Sequence, residues 1–224
     1  MSDRETHEPT VYVVRNEVDP EYEYHCNALS ERFPDAIEID FAGGERVPIG
    51  NADGVVLTGS TAGVYESDRY EWIDDQAEFV RELVERRIPT LGICFGHQIA
   101  NTALGGSVEH VGAAARLVEA DLADAPIFEG VEPVVPALHG DVVTDTGEGM
   151  EPIASADHAR VFGTRHRDAP LWTVQFHPEI TASLRDRLVE DFGWETKQFG
   201  FDDVTAGSVF GNFERLLVDA APSL

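Results

Sequence analysis

The run Leu91-Gly92-Ile93-Cys94-Phe95-Gly96-His97-Gln98 holds the residues best suited to covalent chemistry. Cys94 has a glycine two positions to each side, Gly92 and Gly96, giving the pattern G-x-C-x-G. That is the cysteine form of a nucleophile elbow, a tight strand-to-helix turn that presents one reactive side chain. The nucleophile there takes a strained backbone conformation, and β-carbons beside it would strike the crossing strand and helix, so both neighbours must be small. The turn also sets the sulfur at a helix N-terminus, where unpaired N–H groups and the helix dipole favour the thiolate. A cysteine that only packs would not need the flanking glycines.

A nucleophile needs a base, and the base needs a group to orient it. Leu171–Phe176 reads as a strand that runs into His177-Pro178-Glu179. Pro178 pushes His177 towards an extended conformation, and in an extended chain residues two apart point the same way. His177 and Glu179 can therefore lie side by side, with the carboxylate setting the imidazole tautomer. Cys94, His177 and Glu179 are the candidate nucleophile, base and orienting acid.

The elements that must position these groups alternate along the first half of the chain. Val11–Val14 reads as a strand, Glu21–Phe33 as a helix and Ala36–Asp40 as a second strand. Val55–Leu57 is a continuous apolar run, the signature of a parallel strand buried on both faces. Over Tyr70–Arg87, Trp72, Ile73, Ala77, Val80, Leu83 and Val84 recur at helical spacing. Pro89–Ile93 is the next strand; beyond the elbow, Ile99, Ala100, Ala103 and Leu104 mark a helix stopped by Gly105-Gly106. This alternation predicts an α/β fold, a mostly parallel central sheet with flanking helices and a site at the strands' carboxyl ends. From Ser107 the pattern changes to short strands (108–110, 115–120, 134–138, 152–155, 161–165 and 171–176). They predict a mixed or antiparallel continuation of the sheet with hairpins. Helices follow at Ala182–Phe192 and Ser208–Ala220, and residues 193–207 between them carry no clear pattern.

Gly-Ile-Cys-Phe-Gly-His-Gln, followed by Val-Gln-Phe-His-Pro-Glu at 174–179, resembles the class I (triad) glutamine amidotransferases, and within them the glutaminase part of GMP synthase and its free-standing relatives. Two further stretches agree. Gly54–Ser60 is similar to the family's oxyanion strand and loop, although Gly59-Ser60-Thr61 stands where many members have Gly-Gly-Pro. Leu138-His139-Gly140-Asp141 is similar to the segment holding the amino-acid end of glutamine. The resemblance covers roughly residues 10–190 and implies a flavodoxin-like class I architecture in one domain, 10–224, behind a flexible tail, 1–9. It implies glutamine as substrate, a Cys94 thioester, and an oxyanion hole from the Phe95 N–H and an N–H of Gly59 or Ser60. Gln98, His139, Gly140 and Asp141 would line the substrate's amino and carboxylate ends. A free-standing γ-glutamyl hydrolase or peptidase shares the elbow sequence and stays open, as does a regulatory protein that keeps the fold without turnover.

The other histidines take plain readings: His7 and His25 exposed, His97 packing or capping, and His110, His158 and His166 without ligand spacing. There is no H-E-x-x-H or C-x-x-C, so neither a metal nor a cofactor is expected. Nor is there a Walker-type loop. With 45 residues after Glu179 in a 224-residue chain, ATP chemistry is expected on a separate synthetase acting in trans.

Composition narrows the setting. There are 42 acidic residues against 16 basic ones, a formal charge of −26, and Lys197 is the one lysine. A chain so acidic could be disordered, but 42% hydrophobic content and regular strand patterns call for a packed core. An acid-coated surface suits a high-salt cytosol, where charge repulsion is screened within about 3 Å at molar salt. No basic patch invites nucleic acid. Met1–Pro9 lacks an apolar signal core, and no run of ~18 apolar residues could span a membrane. Two cysteines make no disulfide framework, and Cys26 reads as a packing residue. A reduced, cytoplasmic protein is expected.

Overall fold

The computed structural model describes residues 9–195 and 198–220. The tail expected at 1–9 falls, up to residue 8, outside the described residues, and His7 with it. Four strands begin a parallel array: β1 (Val11–Arg15), β2 (Ile37–Asp40), β3 (Gly54–Leu57) and β4 (Thr90–Ile93). Five more follow: β5 (Ser107–Leu122), β6 (Val134–Asp145), β7 (Met150–Ala156), β8 (Ala159–His166) and β9 (Leu171–Val174). The sheet order is β2-β1-β3-β4-β9-β8-β6-β5-β7.

The expectation of a mostly parallel, flavodoxin-like sheet is corrected by this order. Strands β2, β1, β3, β4 and β9 run parallel. From β8 onward every pairing is antiparallel, and β7 also pairs with β8, so β5 to β8 close on themselves like a small barrel. Parallel neighbours need crossover helices, and from β5 to β9 the connections are too short to supply them.

The short strands expected between residues 107 and 165 are segments of longer ones, whereas the one expected at 171–176 ends at Val174. Gly112 (φ +98°) sits in a bulge between His110 and Ala114 of β5, so one strand spans both segments expected at 108–110 and 115–120. β6 runs on through His139, Gly140 and Asp141, which places the expected substrate segment on a strand rather than in a loop.

Helices α2 (Trp72–Arg86) and α3 (Phe95–Ala103) match the periodicity that announced them. The helix expected at 21–33 is shorter. A 3-10 turn at Pro20–Tyr22, capped by the Asp19 side chain accepting from Glu21 N at 3.0 Å, precedes α1 (Tyr24–Ser30). Helices α4 (Arg185–Phe192) and α5 (Ser208–Ala220) complete the set. Strand alternation splits the core into two layers. Tyr12, Val14, Val55 and Leu57 pack with α2 and α3; Val13 and Val56 pack on the other face with Phe210, Phe213 and Leu217 of α5. In the stretch without pattern, Trp194 is buried against Leu188 and stacks on Phe201.

Candidate functional site

Cys94 stands between β4 and α3 with φ 52° and ψ −103°. Arg87 is the one other non-glycine residue with positive φ among the described residues. Arg87 is an ordinary left-handed helix cap, whereas the angles of Cys94 belong to a strained turn. Both glycines are sterically required. A Cβ on Gly92 would lie 2.5 Å from the Gly96 carbonyl oxygen, and one on Gly96 would lie 2.5 Å from the Leu57 carbonyl oxygen.

β9 pairs in register with β4, Ile93 opposite Val174, so the segment after β9 is brought beside the elbow. There the His177 Nδ1–H donates to Glu179 Oε1 at 2.6 Å. Its Nε2 lies 3.0 Å from the Leu138 carbonyl oxygen, and Cys94 Sγ lies 3.7 Å from the same oxygen. The candidate nucleophile and base thus converge on one backbone carbonyl. A carbonyl only accepts, so both ring nitrogens of His177 carry protons in this arrangement. Burial works against that charge, but Glu179 and Cys94 outweigh it and hold the His177 pKa well above the usual histidine value. Glu179 is buried and its Oε2 has no hydrogen-bond partner among the described residues, so the carboxylate is committed to the ring.

The residues expected to bind substrate surround this group. A cavity of about 320 Å³ is lined by Ser60, Cys94, Gln98, His139, Gly140, Asp141 and His177, among others. Gly59 closes against it: a Cβ there would lie 3.1 Å from His177 Cε1 and 3.5 Å from Cys94 Cβ. Phe95 is the first residue of α3, so its N–H has no carbonyl within the helix to bond. Gln98 Nε2 donates to Asp141 O and to Gln175 Oε1, both at 3.2 Å. His139 Nδ1–H donates to Asp141 O at 3.0 Å, while its Nε2 meets His158 Nε2 at 3.1 Å. Burial first, then the neighbouring His158, push the His139 pKa down to about 3, so this ring is neutral.

Several participants escaped the sequence reading. Tyr65 Oη and His110 Nδ1 both contact Asp141 Oδ1, at 3.3 and 2.7 Å, and so tie two exposed rim residues to the substrate segment. The Leu138 carbonyl carries no side-chain signal at all. His25, expected to be exposed, is buried at 5%. It lies four residues before Leu29, on the face of α1 that also buries Cys26 and Leu29, so the helical spacing itself carried the signal. His97 is fully buried, with Nδ1 2.7 Å from Thr173 Oγ1, so it packs as expected.

His25, His177 and Glu179 place one ligand atom each within 4.8 Å of one another, among the described residues the one group with such spacing. Both nitrogens of His177 already hold oxygen partners, and His25 Nε2 donates to Glu17 Oε2 at 2.9 Å. The arrangement is a hydrogen-bonded chain; a cation would have to displace those bonds.

Comparison with known proteins places the chain in a family. The family model "Glutamine amidotransferase class-I" matches residues 19–196. GMP synthase [glutamine-hydrolyzing] of Lactobacillus delbrueckii subsp. bulgaricus is 31% identical over 175 residues, 75% of this chain and 31% of that protein. The enzyme of the same name from Wolinella succinogenes is 36% identical over 143 residues, 60% of this chain and 26% of that protein. The chain therefore spans less than a third of the length of these curated relatives. A glutamine amidotransferase from Thermotoga maritima superposes with a TM-score of 0.74 at 23% identity, covering 95% of this chain and 98% of that one. A putative GMP synthase subunit from Thermoplasma acidophilum gives 0.68 at 21%, with 95% and 96% covered. With the elbow at Cys94 and the family match running through it to residue 196, the chain belongs to the class-I glutamine amidotransferases.

Proposed function

We propose that this domain, over residues 10–224, is a glutaminase that hydrolyses the side-chain amide of glutamine and passes ammonia to a separate synthetase. One observation carries the reading: Cys94 Sγ and His177 Nε2 meet at the Leu138 carbonyl, with Glu179 on the far nitrogen, inside the cleft bounded by Gln98 and His139–Asp141. The Cys94 thiolate attacks the amide carbon, and a C–S bond forms. The negative charge on the amide oxygen is met by the Phe95 N–H and by an N–H of Gly59 or Ser60, donors worth about 3–4 kcal/mol each in comparable sites. His177 gives its Nε2 proton to the departing nitrogen as the C–N bond breaks, and ammonia leaves. His177 then takes a proton from water, which attacks the thioester; glutamate departs and Cys94 is restored. Glu179 holds the ring throughout. Gln98, His139, Gly140 and Asp141 hold the amino-acid end of the substrate. No metal or cofactor enters this scheme, and a thiol nucleophile suits a reducing, cytoplasmic setting.

The synthetase is proposed because the curated relatives are named as GMP synthases. Tyr65 and Val111, exposed at 59% and 54%, flank the rim where Tyr65 and His110 meet Asp141, and offer a docking edge. A gated glutaminase should be weak alone and rise about tenfold or more when an ATP-dependent synthetase and its nucleotide substrates are added. The alternative, a γ-glutamyl hydrolase, draws on the apolar part of the cleft wall at Ala113–Ala115 and Phe192, room for a leaving group larger than ammonia. Such an enzyme would be fully active alone. Ammonia or amine release from glutamine and from γ-glutamyl dipeptides, measured with and without the synthetase, separates the two. Full dipeptide activity with no synthetase response would exclude the partnered reading.

The acidic surface supports a high-salt habitat. Melting temperature should climb with KCl from dilute buffer to several molar as carboxylate repulsion is screened. A flat curve would contradict this. Among the described residues, no helix is long and apolar enough to cross a membrane.

A further inference from the structure

His25 and Glu17 form a second carboxylate–imidazole pair inside the site, and nothing in the triad chemistry uses it. Glu17 sits two residues beyond β1 and is buried at 8%. Its Oε2 accepts from His25 Nε2 at 2.9 Å and from Thr61 N at 3.0 Å. Its Oε1 accepts from Val18 N at 2.9 Å, from Asp19 N at 3.0 Å and from the Thr61 hydroxyl. The carboxylate therefore grips the Gly59-Ser60-Thr61 loop at Thr61. Next to it, Asn16 bonds the root of the same loop: Asn16 N donates to Thr58 Oγ1 and Asn16 Nδ2 to Thr58 O, both at 3.0 Å.

The imidazole acts at the other end of the loop. His25 lies edge-on to His177, ring centroids 5.9 Å apart at 86°. The position that a Cβ of Gly59 would take is 3.3 Å from His25 Cε1 and 3.1 Å from His177 Cε1. Gly59 is thus confined by both imidazoles, one belonging to the triad and the other anchored to Glu17. A loop that only had to be ordered could be packed by apolar side chains. Burying a histidine and a glutamate there is costly unless their bonds fix a geometry.

We infer that Glu17 and His25 are positioning residues: together they hold the Gly59-Ser60-Thr61 loop so that its N–H faces the oxyanion opposite His177. This rests on the glutaminase reading above. The groups facing His25 are Glu17, His177, Tyr24 and the Cys26 sulfur, the last 3.7 Å from Nδ1. The bond from Nε2 to Glu17 is the directional one, so a glutamine amide at position 25 can reproduce it and an apolar side chain cannot.

The test uses the whole chain, with glutamine hydrolysis and iodoacetamide alkylation of Cys94 read side by side. Alkylation needs the thiolate but forms no oxyanion. His25→Leu should lower kcat about 30-fold with KM within about threefold, as expected when a transition-state donor is misplaced. The Cys94 alkylation rate should stay within about threefold of the parent. His25→Gln should recover most of kcat, and Thr61→Val, which removes one donor to Glu17, should reproduce the kcat loss in milder form even if His25→Leu does not fold. Unchanged kcat in His25→Leu or in Thr61→Val overturns the inference, as does equal loss in the Leu and Gln variants or a parallel fall in alkylation. Cys94→Ala in the parent is the separate control: hydrolysis that survives it removes the glutaminase reading itself, whatever the His25 variants do.

Discussion

Replacing Cys94 by Ala should reduce glutamine hydrolysis by about 10⁴-fold or more, and His177→Ala should do nearly the same. The reason is the shared geometry. The sulfur and the imidazole meet at one carbonyl oxygen, 3.7 and 3.0 Å away. Without the thiolate no thioester forms; without the imidazole the departing nitrogen leaves unprotonated. Each step is needed in every cycle, so the double variant should be little worse than either single one. Glu179→Gln should cost less, because the amide still fills the space and can accept from His177 Nδ1. It would, however, remove the carboxylate that outweighs burial in keeping that ring charged. Steady-state ammonia release and single-turnover trapping of the thioester measure the series. Near-normal turnover in Cys94→Ala would eliminate the thioester mechanism.

The second large effect should come from the glycines that let the elbow close. Gly92→Ala would drive a methyl group to 2.5 Å from the Gly96 carbonyl oxygen and 2.7 Å from its carbon. Gly96→Ala would place one 2.5 Å from the Leu57 carbonyl oxygen and 2.8 Å from Leu57 Cβ. These obstacles are mainly backbone, held in the first turn of α3 and in the β3–β4 ladder, and cannot swing aside as a flexible side chain would. Overpacking of this kind costs about 3 kcal/mol. For a chain of this size that corresponds to a fall in Tm of about 6–12 °C. Activity should fall more steeply than stability, since any relief moves Cys94 out of its φ of 52°. Thermal melts and activity of the remaining folded fraction test this. A Gly96→Ala protein with unchanged Tm and turnover would contradict the packing account. Gly105→Ala makes a useful contrast, because a Cβ there meets nothing within 4 Å; its cost arises only from φ +90°.

Much of this protein is determined locally and can be read without coordinates. The elbow is legible because its constraints lie within five residues: two glycines, one nucleophile and the apolar helix that follows. His177 and Glu179 are legible because an extended Pro-containing turn puts side chains two apart on one side, as the 2.6 Å bond shows. The buried parallel strands β3 and β4 announce themselves because both faces are apolar, and α2 because its stripe repeats at helical spacing.

What only the tertiary structure decided depends on groups far apart in the chain or on backbone atoms with no side-chain signal. The Leu138 carbonyl joins Cys94 to His177 across separations of 44 and 39 residues, and a carbonyl belongs to every residue type. The antiparallel course of β5 to β8 agrees with the mixed or antiparallel continuation expected, but the closure of β7 onto β8 is set by pairing partners, which strand composition does not distinguish. The spacing of His25 before Leu29 could place it on the inner face of α1, but its partners Glu17 and His177 come from two other segments far along the chain. Local chemistry is written in neighbouring residues, whereas the shape of the Gly59-Ser60-Thr61 loop is set where β1, β3, α1 and the turn after β9 meet.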